Sequence, residues 1–172
     1  EAQSPVHADV RLRGKWVGDD RAPSPMVYDL RVRAAAGSAQ LRLWLTVLHA
    51  AARQPPFEEL RPQIAVADWR LGLQLPKPAS RWVFGGADRP VVLTHQSQAE
   101  LRQPDDLHYT LTAGGSAVAQ GTRAPGWLCA VGEMAAVTFG VRHFWQNHPK
   151  TLFAHGDTLE IGLWSSQEPF VW

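Results

Sequence analysis

Apolar and polar residues alternate with a period of two along most of this chain, and that pattern constrains the fold more than any other feature. A β-strand places successive side chains on opposite faces, so the alternation marks strands with one buried face. In VHADVRLRGKW, Val6, Ala8, Val10, Leu12 and Trp16 share a face, with His7, Asp9, Arg11, Arg13 and Lys15 opposite. MVYDLRVRA sets Met26, Tyr28, Leu30 and Val32 against Asp29, Arg31 and Arg33. QLRLWLTVLH sets Leu41, Leu43, Leu45 and Val47 against Arg42, Trp44 and Thr46. Ala65, Ala67, Trp69, Leu71, Leu73 and Leu75 continue the rhythm, and shorter runs carry it to DTLEIGLW.

Gly, Pro, Asp and Ser punctuate these runs, as in GDDRAPSP, AAGS, GGADRP, RQPDD and HGD, and such clusters are turn chemistry. About a dozen strands joined by short turns predict an all-β chain: an antiparallel β-sandwich of the supersandwich type, with very little helix, under about a tenth of residues. LTVLHAAARQ is the one stretch that suits a helical turn, and Pro55 and Pro56 would end it. Trp16, Tyr28, Leu43, Leu71, Phe139 and Val141 are the expected buried residues. At 172 residues and 45% hydrophobic content, the length suits one domain spanning 1–172 with a sizeable core.

A formal net charge of +1 exerts no global pull on nucleic acid or membrane, and neither is expected as a partner. No apolar run approaches the roughly 18 residues of a membrane span. Cys129 is the single cysteine, which excludes an intramolecular disulfide and a cysteine-based zinc site. The seven His follow no metal-ligand spacing, so no metal and no cofactor is expected. Gly-x-Ser-x-Gly, phosphate-loop and dinucleotide signatures are also missing.

Two constellations stand out. VRHFWQNHPK, residues 141–150, gathers two aromatics, two His, two cations, a Gln and the chain's one Asn. Continued alternation would turn His143 and Trp145 inward, with Trp145 as a buried anchor, and would leave Arg142, Gln146, Asn147, His148 and Lys150 around a polar mouth. The segment then reads either as a structural corner or as a mouth suited to a carboxylate and a sugar. The second constellation is the polar face of the first three strands. If they form a meander, Arg11, Arg13, Lys15, Arg31, Arg33 and Arg42 lie together with Trp44. Arg forks match carboxylates in bidentate geometry, so this face suits a polyuronate, a neighbouring domain, or solvent alone. The eight Trp fit a β-sandwich core, while exposed ones suit stacking on sugar rings; Trp44, Trp82 and Trp172 are the candidates.

TRAPGWL, VTFGVRHFWQNHPKTL and DTLEIGLW resemble the central β-sandwich domain of exo-rhamnogalacturonan lyase-like proteins. The early strands VHADVRLRG, YDLRVRAAAGSAQLRLWLTV and WRLGLQLP are similar to it as well, so the resemblance spans nearly the whole chain. It implies a fragment lying between an N-terminal β-barrel and a C-terminal α/α toroid of a larger, bacterial protein. It further implies a polysaccharide lyase that cleaves pectic rhamnogalacturonan by β-elimination. That chemistry needs a base at the proton α to the uronate carboxylate, a donor for the enolate and an acid for the leaving oxygen. No catalytic residue carries over to a position here. The implied partners are an acidic polysaccharide and the flanking domains of the same chain, in an extracytoplasmic or secreted setting. The alternative is a non-catalytic carbohydrate-binding or scaffold β-sandwich.

Overall fold

The computed structural model describes residues 7–17, 23–49, 65–66, 69–94, 98–164 and 170–171. In chain order the strands are β1 (His7–Val17), β2 (Pro23–Ala35), β3 (Leu41–His49), β4 (Ala65–Val66), β5 (Trp69–Gln74), β6 (Arg81–Phe84), β7 (Val91–Thr94), β8 (Gln98–Gln103), β9 (Tyr109–Ala113), β10 (Ser116–Gly121), β11 (Trp127–Val131), β12 (Ala136–Gly140), β13 (Lys150–His155), β14 (Thr158–Trp164) and β15 (Phe170–Val171). Every pairing is antiparallel and the described residues hold no helix, in line with the all-β expectation. Leu45–His49 of the suggested helical turn is strand, and the rest of that stretch lies outside the described residues, as do Val6, Ala67, Pro55, Pro56 and Trp172. The chain divides into two compact units, Glu1–Pro62 and Gln63–Trp172, each described by itself.

The first unit is the meander β1-β2-β3. Its register aligns the alternating patterns row by row: Val10, Val32 and Leu43 meet across the strands, as do Leu12, Leu30 and Leu45. Tyr28 lies over Gly14, where a side-chain carbon would fall 2.5 Å from the phenol oxygen, and its ring meets Trp16 edge-on at 5.2 Å. The apolar face is incompletely covered, so Leu43 is 47% exposed rather than buried. Trp16 and Tyr28 are half-buried.

The second unit is the sandwich. One sheet has six strands, in the order β10-β9-β8-β13-β14-β5, and the other has four, in the order β12-β11-β6-β7. β4 and β15 form a separate two-stranded ribbon. Cross-strand rows fill the interior: Leu111, Leu101, Leu152 and Ile161 run across the six-stranded sheet, and Leu128, Phe84 and Val91 across the other. These rows, with Trp82, Leu93, Leu159 and Tyr109, make up the core. Trp82 is 2% exposed, because the period of two sets it on the same inward face as Phe84; it is no stacking platform. Phe139 and Leu71 are only half-buried, since β12 and β5 are outer strands covered from one side alone.

The largest departure from the alternation follows β12. The strand ends at Gly140, the Val141 N–H donates to the Gly126 carbonyl at 2.8 Å, and His143 takes a left-handed φ of +57°. Residues 142–147 form a turn and strand alternation stops, so Phe144, at 1% exposure, goes into the core while Trp145 stays half-buried and Val141 does too. Gly126, with φ +77°, receives the Phe144 ring: a Cβ there would sit 2.1 Å from the Phe144 Cβ. The anchor of the corner is therefore Phe144 and not Trp145.

Phe144→Ala should cost about 3–5 kcal/mol, the usual result for truncating a sealed aromatic. Trp145→Ala should cost clearly less. Denaturant unfolding of both variants checks this, and the reverse ranking would return the anchor role to Trp145.

Candidate functional site

At one end of the sandwich, three connections converge: 104–108 between β8 and β9, 122–126 between β10 and β11, and 141–149 between β12 and β13. Gln103, the last residue of β8, is fully buried and joins the first two. Its Nε2 donates to the Asp105 carbonyl at 2.8 Å, and its Oε1 accepts from the Ala124 N–H at 2.9 Å. Arg123, itself at φ +47°, lies with its guanidinium 4.6 Å from the centre of the Trp145 ring, and its Nε donates to the Asp106 carbonyl. One cation thus links the 104–108 and 141–149 connections through a cation–π contact and a backbone acceptor.

Arg142, Gln146, Asn147 and His148 are all exposed on the 141–149 turn, which the Asn147 N–H closes by donating to the His143 carbonyl at 3.0 Å. Lys150 behaves differently. Its ammonium donates to the Leu163 carbonyl at 2.9 Å and to that of Pro149, and burial lowers its pKa by penalising the charged form. It is an internal tie between β13 and β14 more than a free cation on the mouth. Beside this turn, the Asp105 carboxylate accepts from the backbone N–H groups of Leu107 and His108 and pairs with His108 Nδ1 at 3.0 Å. The His108 bond first, then the backbone donors, hold Asp105 below the ordinary carboxylate range. The imidazole is oriented with Nε2 directed away from its partner.

The meander unit carries the second group. Arg11 faces Arg31, which faces Trp44; Asp9 faces Arg33, which faces Arg42; Arg13 faces Asp29. All the cations named from the sequence therefore lie on one face, together with Asp9 and Asp29. Each carboxylate is clasped by two guanidiniums. Asp29 takes Arg11 diagonally at 2.8 Å and Arg13 directly at 2.9 Å; Asp9 takes Arg31 and Arg33, each at 2.7 Å. Arg33 and then Arg31 push Asp9 far below the usual carboxylate range, and Arg11 leads Arg13 in bringing Asp29 to about 2. In return Asp29 raises Arg11 and Asp9 raises Arg33. Trp44, 44% exposed, has the Arg31 and Arg33 guanidiniums 5.6 and 5.7 Å from its ring centre, beside a shallow depression that also reaches Thr46.

The structure thus collects Arg142, Gln146, Asn147 and His148 on one turn, and Trp44, Arg31 and Arg33 on one sheet face. Sequence reasoning missed the clasping role of Asp9 and Asp29, although a signal was present. DVRLR at 9–13 and DLRVR at 29–33 repeat the same Asp-x-Arg-x-Arg. It also missed Arg123, Gln103 and the Asp105–His108 pair, for which the sequence holds no periodic mark. Among the described residues, no group of three or more His, Cys, Asp or Glu is placed to hold a metal ion.

Residues 108–167 match the family described as the PcRGLX-like protein central beta sandwich domain. The match contains the whole 141–149 turn and runs from β9 through β14; the early strands, expected from the sequence to belong to the same domain, lie outside it. No curated protein matches the chain.

Because the folded pKa of Asp29 is depressed, its ion pairs contribute stability above the ordinary carboxylate pKa, and that contribution is lost as pH falls towards about 2. An NMR titration should place the Asp29 midpoint near 2, and Arg11→Ala should raise it. A wild-type midpoint at the ordinary value would remove the double clasp.

Proposed function

We propose that this chain is the β-sandwich module of a polysaccharide lyase acting on pectic rhamnogalacturonan by β-elimination, supplying architecture and part of the substrate cleft. The family match across 108–167, with the 141–149 turn inside it, is the observation that carries the reading. In that reaction the C–H bond α to the uronate carboxylate and the C–O bond to the leaving sugar both break, and a C=C bond forms between the two carbons. The exposed Arg142 offers a bidentate fork for a uronate carboxylate, and Gln146 and Asn147 offer amide donors for hydroxyl or carboxylate oxygens. Lys150 has little part in this, its ammonium being committed to backbone carbonyls. The base and the acid are assigned to no residue here. A β-barrel before the sandwich and an α/α toroid after it complete the proposed parent, with the cleft lying largely between the toroid and this sandwich.

A second reading, a non-catalytic carbohydrate-binding module, is favoured by the half-exposed Trp44 beside the Arg31 and Arg33 guanidiniums. An indole flanked by guanidiniums suits a sugar ring that carries a carboxylate.

Residues 1–172 alone should release no unsaturated uronate from rhamnogalacturonan, followed by product absorbance. In the full-length parent, Arg142→Ala should lower turnover roughly tenfold, the scale of one charge-assisted hydrogen bond, with an unchanged melting temperature. Turnover by the isolated chain would defeat the divided cleft, and full activity of both Arg142→Ala and Gln146→Ala parents would make the turn a structural corner only.

A further inference from the structure

The two Asp-x-Arg-x-Arg segments pair antiparallel with Arg11 opposite Arg31, so a local two-fold relates Asp9 to Asp29, Arg11 to Arg31 and Arg13 to Arg33. The ion pairs obey that symmetry, since each Asp is held diagonally by one Arg and directly by another. Like charges opposite each other on neighbouring strands repel, and here the central Arg11–Arg31 pair is tolerated because each reaches the Asp of the other segment. Neutralisation is incomplete. Lys15 and Arg42 share the face without a carboxylate partner among the described residues, and the Arg13 pair uses Nε alone. The clasped side chains remain open to solvent, with Arg11 58%, Arg13 63% and Arg31 47% exposed. β3 is an outer strand of the meander, so among the described residues no strand pairs with it on the side away from Arg31 and Arg33.

We propose that Asp9 and Asp29 are built-in stand-ins for ligand carboxylates, which a polymeric acidic glycan displaces from the Arg forks while its sugar rings lie against Trp44. This rests on the carbohydrate-binding reading above and adds to it a basis for selectivity. A carboxylate already seated in each clasp is at high local concentration, and a single free uronate competes with it poorly. A chain bearing several carboxylates engages the two clasps together with Arg42 and Lys15, so its later contacts are effectively intramolecular. The two aspartates thus select polymer over monomer and keep the face from holding small anions. The exposed indole is what favours a glycan over an acidic peptide.

The test is calorimetric titration of residues 1–172 with polygalacturonate and with monomeric galacturonate, at low and high salt. The wild-type chain should bind the polymer but not the monomer, and more weakly as salt rises. Asp9→Asn with Asp29→Asn should bind the polymer at least about threefold tighter, the scale of releasing exposed ion pairs. It should also gain detectable monomer binding and show a steeper salt dependence. The two single variants should each give a smaller gain, and they carry the test if the double variant is unfolded by circular dichroism. If wild-type binding is lost in Arg31→Ala with Arg33→Ala but the Asn variants bind no tighter, the aspartates have no such role and the carbohydrate surface stands. If neither wild type nor any Asn variant binds the polymer, both ideas fall. Polyglutamate bound as tightly as polygalacturonate would overturn the glycan assignment in favour of an acidic protein partner.

Discussion

The end of the sandwich that carries the family-matched turn is organised around one buried amide. Gln103 enters the interior at the end of β8, where an unpaired polar group costs about 1–3 kcal/mol, and it escapes that cost only by bonding both the Asp105 carbonyl and the Ala124 N–H. Those bonds set two connections. The second of them then presents Gly126, whose carbonyl receives the Val141 N–H and whose missing side chain admits Phe144. Removing the amide would therefore loosen the seat of a turn far along the chain. The exposure of Arg142, Gln146, Asn147 and His148 is a consequence of where Phe144 goes in.

The meander depends on a different balance. Its apolar rows align because register and alternation agree, but the same register crowds guanidiniums on the opposite face. Two aspartates, each shared by two arginines, make that crowding tolerable. Their effect is chemical as well as structural: an Arg whose fork holds a carboxylate is already shaped for carboxylate recognition, whereas a solvated one must first be ordered. Exposed ion pairs of this kind contribute little to stability, which leaves them free to exchange partners.

In the meander the sequence was legible almost residue by residue. A strict period of two, unbroken by turn residues, assigns Arg11, Arg31 and Trp44 to one face and Leu12, Leu30 and Leu45 to the other before any register is known. The same reasoning failed at residues 141–150, because alternation holds only while φ and ψ stay extended. The chain leaves the extended conformation in the turn over residues 142–147, where His143 is left-handed, so that Phe144 and not Trp145 goes inward. Trp82 was misjudged for another reason: its alternation with Phe84 marked an inward face, but composition alone suggested a platform. Lys150 looked free because the carbonyls that hold it come partly from Leu163, thirteen residues away.

What the sequence by itself determined is local and periodic: an all-β chain, the strand faces, the turns, and the collection of arginines on one side of a three-stranded sheet. Side-chain alternation depends only on backbone geometry, so those properties need no knowledge of what packs where. Tertiary structure alone decided which of those faces are covered and which charges meet. Leu43 matches a core residue in pattern but stays 47% exposed, and Asp9 and Asp29 clasp arginines 16 to 24 residues away because the register brings them within 3 Å. Burial and ion pairing are relations between distant segments, and they come into being only when the strands have found their partners.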